Sequence, residues 1–236
     1  MVKNIGFPAG TLIHTNKGSI PIQDIKVGDM VLSRPEWGGK DAPTAYKRVL
    51  RSFCSGEDEL IRLACVKDSE YDDIDALVYL EFISVSQSIW EESLKKWVSA
   101  SDIEIDTLLS SINNKDNLRV LSTEAVYKGH IDNDLLIGGC FKMAFGNDDA
   151  QELDMEIQFT KDGYYFVNHN KYLCSTKYHI LDDQILKLNE SIVEAAIDYI
   201  YSNTSNLIKL KVPVYTLEVE ESYTYFVGEH AIWVHQ

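Results

Sequence analysis

The sequence predicts a mainly β protein of short strands, interrupted by an insertion of mixed α+β character. Two observations carry this: apolar–polar alternation between turn residues fills both ends of the chain, and a helix-period stripe lies between them. Thr11, Leu12, Ile13, His14 and Thr15 form a β-rich run, Asn16-Lys17-Gly18 makes a turn, and residues 20–22 resume extended structure. Val27-Gly28-Asp29 turns again into an apolar run over 30–33, and residues 49–53 and 60–66 alternate well enough to be further strands. At the other end, residues 212–220, 223–227 and 231–234 form a meander, with turns at Glu221-Ser222 and Gly228-Glu229. Their Tyr, Trp and Val content suits half-buried strands.

The middle has another period. Ile185, Leu188, Ile192, Ala195, Ala196, Tyr199 and Ile200 recur at helical spacing, which predicts an amphipathic helix near 183–202 with Asp182 or Asp183 as its N-cap. Residues 156–159 and 164–167 read as strands between Gly- and Asp/Asn-rich turns. The chain therefore divides into a first β part over 1–120, a mixed insertion over 121–210, and closing strands over 211–236.

Composition narrows the function. A chain of 236 residues, 45% hydrophobic, can bury a full core. Its apolar runs are too short to cross a bilayer, and Met1-Val2-Lys3-Asn4 leads into no apolar signal segment, so a native N-terminus would imply a cytoplasmic protein. Cys54, Cys65, Cys140 and Cys174 form no CxxC pair and read as reduced, mostly buried small hydrophobes. The net charge is −15, from 22 basic and 37 acidic residues, a field that repels nucleic acid and anionic membrane and favours basic partners. The charge is uneven, with nine acidic residues against two basic ones over 57–81.

Within that stretch Asp68, Glu70, Asp72, Asp73 and Asp75 are the candidate landing site for a basic protein. As a calcium loop they lack the required Gly and terminal Glu, and a solvated turn is the plainer reading. His169, Cys174 and His179 are separated by four residues on each side without the tight pairing of a zinc site, so they read as a buried thiol flanked by surface histidines. His14 and His130 stand alone in strand or turn contexts, where structural roles prevail. No metal or cofactor is implied.

Longer motifs bear a family likeness. Residues 6–15 and 20–33, running from Gly6-Phe7-Pro8-Ala9-Gly10 to Val27-Gly28-Asp29-Met30-Val31, resemble the opening of a Hint (hedgehog/intein) domain. Val214 to Glu220, Thr224 to Gly228, and Ile232-Trp233-Val234-His235 resemble its last two blocks, and residues 83–103, with Trp90 and Trp97, its middle block. The nearest subgroup is the intein-like Hint domain of bacterial polymorphic secreted toxins. The likeness covers about residues 5–105 and 210–236, implies a horseshoe of short strands, and does not reach the insertion.

The same resemblance locates the family's chemistry. Self-processing starts when a Cys or Ser attacks the carbonyl preceding it. The matching residue here is Gly6, which has no side chain. The middle block's Thr and His, which polarise the amide and protonate the leaving amine, match Ser84 and Gln87. Thr176 and His179 offer the same spacing and remain an alternative register. A family His is replaced by Tyr223, and the terminal Asn, which cyclises onto its own carbonyl, by Gln236, whose ring would be larger by one atom. Only His235 matches. With five residues before Gly6 and none after Gln236, native ends would also leave little to release. The expectation is therefore a non-catalytic Hint protein of a toxin system, binding and neutralising a cognate toxin as an immunity protein. The alternatives are a self-processing domain excised from a larger secreted toxin, and a structural spacer of such a toxin.

Overall fold

The computed structural model describes residues 4–112, 116–129, 136–143, 151–167, 185–186, 195, 198–199, 202 and 207–236. Its strands are β1 (Leu12–Thr15), β2 (Gly18–Pro21), β3 (Met30–Ser33), β4 (Ala45–Lys67), β5 (Tyr79–Ser84), β6 (Ser88–Glu91), β7 (Lys96–Ser99), β8 (Leu108–Leu109) and β9 (Leu118–Ala125). They continue with β10 (Tyr127–Lys128), β11 (Leu136–Met143), β12 (Gln151–Phe159), β13 (Tyr164–Val167), β14 (Ile185–Leu186), β15 (Lys211–Val219), β16 (Thr224–Val227) and β17 (Ile232–His235). No helix among the described residues is long and apolar enough to cross a membrane.

Strand β4 organises the molecule. The two runs expected over 49–53 and 60–66 are parts of this one strand of 23 residues. Its first part pairs with β3 (Met30↔Arg48), and β15 lies along it from Val219↔Val49 to Lys211↔Glu59. Its last part pairs with β5 (Leu60↔Ser84) and with β9 (Ile61↔Ala125). From β4 the ladder runs through β3, β1, β16, β17, β6, β8 and β9 and returns to β4, so the sheet closes on itself. Closure leaves few open edges, the arrangement short antiparallel strands need.

The inner face carries the main core, with Phe7, Ile13, Val31, Leu63, Ile83, Leu217, Tyr225 and Val234 all buried. The opposite face of β4 and β5 presents Leu60, Ala64, Leu80 and Phe82 to a second sheet, β10–β11–β12–β13–β14, and buries Cys140, Ile157, Phe159 and Phe166 from it. Phe82 is the hub, edge-on to Phe159 at 5.4 Å and to Tyr164 at 4.9 Å. Strand β4 thus has apolar residues on both faces over its last third, which explains why alternation blurs there.

Several local expectations are corrected. Ile22, expected as extended chain, instead opens a 3-10 turn over residues 22–24, just past the last register pair of β1 and β2, Leu12↔Pro21. Ile185 and Leu186 lie in β14, paired in parallel with β13, so the expected helix does not begin at Asp182 or Asp183. Tertiary pairing there overrides an amphipathic period. Ala195, Asp198, Tyr199 and Ser202 are helical. The rest of that stripe lies outside the described residues, as do His130, His169, Cys174, Thr176 and His179. Cys54 is exposed, whereas Cys65 and Cys140 are buried thiols.

Arg34 and Glu81 are among the groups that bring polar chemistry into the core. Arg34 is fully buried, lies over the rings of Phe226 (5.2 Å) and Trp233 (4.9 Å), and donates to Ser110 Oγ at 3.1 Å. Burial lowers its pKa to about 10 against the opposing pull of Asp41. Trp233 is also fully buried, between Trp90 at 5.1 Å and Trp97 at 4.8 Å. Glu81, opposite Leu63, has its Oε2 sealed from solvent without a hydrogen-bond partner. Burial raises this carboxyl to about 8; the Glu229 backbone N–H opposes the rise and the Glu229 charge adds to it.

Two outcomes follow from this core. Trp233→Ala is expected to cost about 3–5 kcal/mol in chemical denaturation. Glu81 binds its proton more tightly folded than unfolded, so its contribution is complete below its ordinary value of 4.5 and is lost as pH rises through about 8. Glu81→Gln should therefore flatten the fall in thermal midpoint between those pH values.

Candidate functional site

The residues matching the family's centre come together around β15 and the ends of β5 and β17. Upstream of β1, Phe7 bridges to Tyr215, its N–H donating to the Tyr215 carbonyl at 3.0 Å while Tyr215 N–H returns the bond at 2.8 Å. This presses Gly6 onto β15 at φ +139. A Cβ there would overlap the Tyr215 carbonyl oxygen and stand 2.7 Å from the carbonyl carbon. Residue 6 thus lacks a side chain and has no room for one.

Hydrogen bonds then thread the six positions together. Ser84 N–H donates to the Gly6 carbonyl at 3.1 Å, and Gln87 N–H to the Ser84 carbonyl at 3.0 Å. Gln87 Nε2 donates to the His235 carbonyl at 2.5 Å, and Gln236 N–H to the Tyr223 carbonyl at 2.9 Å. Ser84 and Gln87 are wholly buried, with no hydrogen bond of ordinary geometry to Ser84 Oγ or Gln87 Oε1. Tyr223 stands at φ +57 in the turn before β16, with half its surface exposed.

The C-terminal part of the site is richer in polar side-chain contacts. His235 Nδ1 lies 2.7 Å from the Gln236 carbonyl oxygen, Nε2 pairs with Glu36 at 3.2 Å, and Trp97 packs edge-on at 5.2 Å. The Gln236 side chain faces β15, its Oε1 accepting from Val219 N–H. A cleft of about 480 Å³ opens beside it, lined by Ile5, Leu50, Phe53, Leu217, Tyr223 and Gln236 among others.

Three further residues belong here that no family motif marks. Ser55 Oγ donates to the carbonyl of Ile5, the one preceding Gly6, at 2.7 Å. This is a donor's approach to the oxygen, not an attack on the carbon. The one signal in the sequence is Gly56 between the two expected runs, since a glycine within what proves a continuous strand marks a bulge. Asp58 lies close enough to Ser84 to feel its hydroxyl, and burial raises its carboxyl above the usual range. Glu36, which opens the 3-10 turn of residues 36–41 ahead of β4, lies 3.2 Å from His235 Nε2.

The acidic stretch is largely spoken for. Asp68 pairs with Arg119 at 2.6 Å and Glu70 with Lys67 at 2.9 Å. Asp73 Oδ1 accepts from Asp75 N–H at 2.9 Å within the turn. Asp72, Asp73 and Asp75 are exposed, beside Ile74 and Tyr71. Among the described residues no cluster of His, Cys, Asp and Glu could hold a metal ion.

The crowding at residue 6 makes a sharp prediction. Gly6→Ala and Gly6→Cys should each destabilise the fold by about 1–3 kcal/mol or more in denaturant titrations, because any L side chain at this φ is strained even before the overlap with Tyr215.

No protein-family model matches the chain, and no curated protein matches it. Solved structures do. A bacterial intein-like domain from Clostridium thermocellum superposes over 100% of both chains with 15% identity and a TM-score of 0.51. A DnaB intein from Synechocystis covers 98% of this chain and 97% of its own, with 8% identity and a TM-score of 0.49. The gp41-1 intein covers 99% and 100%, with 11% identity and a TM-score of 0.46. With its closed β sheet and its full-length likeness to the clostridial domain, this chain has the Hint/intein-like fold.

Proposed function

We propose that this chain is a Hint-fold domain that has lost self-processing and serves a bacterial toxin system by binding protein, as an immunity partner of a basic toxin domain. The observation that carries the loss of chemistry is Gly6 against Tyr215. A first-step nucleophile there requires the backbone of residue 6 to move off β15, and that backbone is tied on both sides by the Phe7–Tyr215 bridge and the Ser84 N–H. Gln87 compounds the deficit, since a carboxamide moves no proton near neutral pH.

What supports binding is charge. At −15 the protein attracts basic surfaces and gains association rate from long-range steering. Asp72, Asp73 and Asp75 are the exposed carboxylates of the acidic turn, and Tyr71, Ile74 and Leu77 add exposed apolar surface beside them. Asp68 and Glu70 serve by holding the turn through Arg119 and Lys67.

A second reading has its own observation. His235 Nδ1 on the Gln236 carbonyl is placed to polarise a bond following Gln236, which favours residual cleavage at that end in a domain excised from a larger toxin. Against it stands the engagement of Gln236 Oε1 by β15, which fixes the side chain away from ring closure. A spacer role within such a toxin shares the inert centre and differs by lacking a partner.

One pair of measurements separates these readings. With short peptides fused before residue 1 and after Gln236, intact mass should stay unchanged over days; specific scission at either junction would overturn the inert centre. Calorimetric titration against the basic toxin encoded beside this gene should give a complex, and Asp72→Asn, Asp73→Asn, Asp75→Asn together should slow association by about tenfold at low salt. No binding at micromolar concentration would leave the spacer.

A further inference from the structure

The ladder between β4 and β15 slips by one residue at Ser55, with Val214 facing Gly56 while Tyr215 faces Cys54. A bulge of this kind re-aims the extra side chain. Here it turns the Ser55 hydroxyl onto the Ile5 carbonyl at 2.7 Å, in preference to the Val214 carbonyl at 3.3 Å. The next residue, Gly56, stands at φ +131, and a Cβ on it would come within 2.7–2.9 Å of the Asn4 carboxamide. Through the space left open, Asn4 Nδ2 donates to the Glu57 carbonyl at 2.8 Å. Three consecutive residues of β4 therefore meet two consecutive residues ahead of Gly6: one gives a hydroxyl, one gives clearance, one gives an acceptor.

The geometry points to a recognition notch in the Ser55–Gly56–Glu57 bulge, which selects asparagine two residues ahead of Gly6 and fixes the carbonyl of the residue between. The chemistry of selection is one-sided. The Glu57 carbonyl only accepts, so the side chain at position 4 must donate, and a carboxamide on a short stem does so. An ionised aspartate of the same size has only acceptors and meets that carbonyl with repulsion. Leucine covers the carbonyl without satisfying it. A side chain on residue 56 would close the space. The residue between is held through its backbone oxygen, which accepts from Ser55 Oγ. The notch fixes the direction in which the chain enters the sheet, and it does so whether or not the centre is catalytically silent.

The test uses the full-length protein and site-resolved amide hydrogen exchange. The Phe7 N–H, bonded to Tyr215 at the foot of the notch, reports on the segment, and the Trp233 N–H, bonded to the Ser110 carbonyl, reports on the core. Asn4→Asp and Asn4→Leu should each speed Phe7 exchange by about five- to tenfold, the worth of one lost hydrogen bond, with Trp233 unchanged. Ser55→Ala should speed Phe7 as well. Selection by the carboxamide is refuted if Asn4→Asp protects Phe7 as well as Asn4 does. It is equally refuted if Phe7 and Trp233 accelerate together, since the segment would then be only a share of global stability.

Discussion

The constraint on which the molecule depends is the continuity of β4. A strand of 23 residues has a long row of backbone donors and acceptors on each edge, and each buried one needs a partner. The chain meets this by changing neighbours along its length. Early in β4 the partners are β3 and β15; late in β4 they are β5 and β9. Because the same strand begins one arm of the sheet and receives the other, satisfying its hydrogen bonds closes the ring. The second sheet then needs only an apolar face, which Leu60, Ala64, Leu80 and Phe82 supply.

The candidate site is held together from the main chain. Its six positions are joined mainly through the backbone: Ser84 N–H to the Gly6 carbonyl, Gln87 N–H to the Ser84 carbonyl, and Gln236 N–H to the Tyr223 carbonyl. Main-chain bonds of this kind do not depend on which side chain a residue carries, except at Gly6, where the close approach of Tyr215 leaves no room for one. Where a side chain does take part, it acts structurally. Gln87 Nε2 secures the His235 carbonyl, and Gln236 Oε1 caps the Val219 N–H at the end of β15. Gln87 Oε1 is buried with no hydrogen bond of ordinary geometry, and Ser84 Oγ has only the nearby Asp58 carboxyl.

The core tolerates charge only under cover. Arg34 enters between Phe226 and Trp233, which face its cation with their ring surfaces, and it hands hydrogen bonds to Ser110 and Ser111. Arg62 crosses from β4 to Glu124 on β9 at 3.1 Å, a buried pair with a partner beside it. Glu81 has less support, and burial holds it toward the neutral acid. Gly228 sits where any side chain would overlap the Glu81 carboxylate, so the turn between β16 and β17 is glycine for a packing reason as well as a conformational one.

Sequence alone determined the mainly β character, the turns at Asn16–Gly18 and Val27–Asp29, the closing meander and the empty position at Gly6. Those properties are local: alternation, turn chemistry and the absence of a side chain are written in neighbouring residues. Only tertiary structure decided that residues 45–67 are one strand, that Ile185 and Leu186 pair with β13 instead of opening a helix, and that Asp68 and Glu70 are neutralised by Arg119 and Lys67. It alone brought Ser55, Asp58 and Glu36 to the centre, because a bulge, a burial and a polar contact join residues far apart in the chain. Distance along the sequence hides such partners, and only the closure of the sheet makes them neighbours.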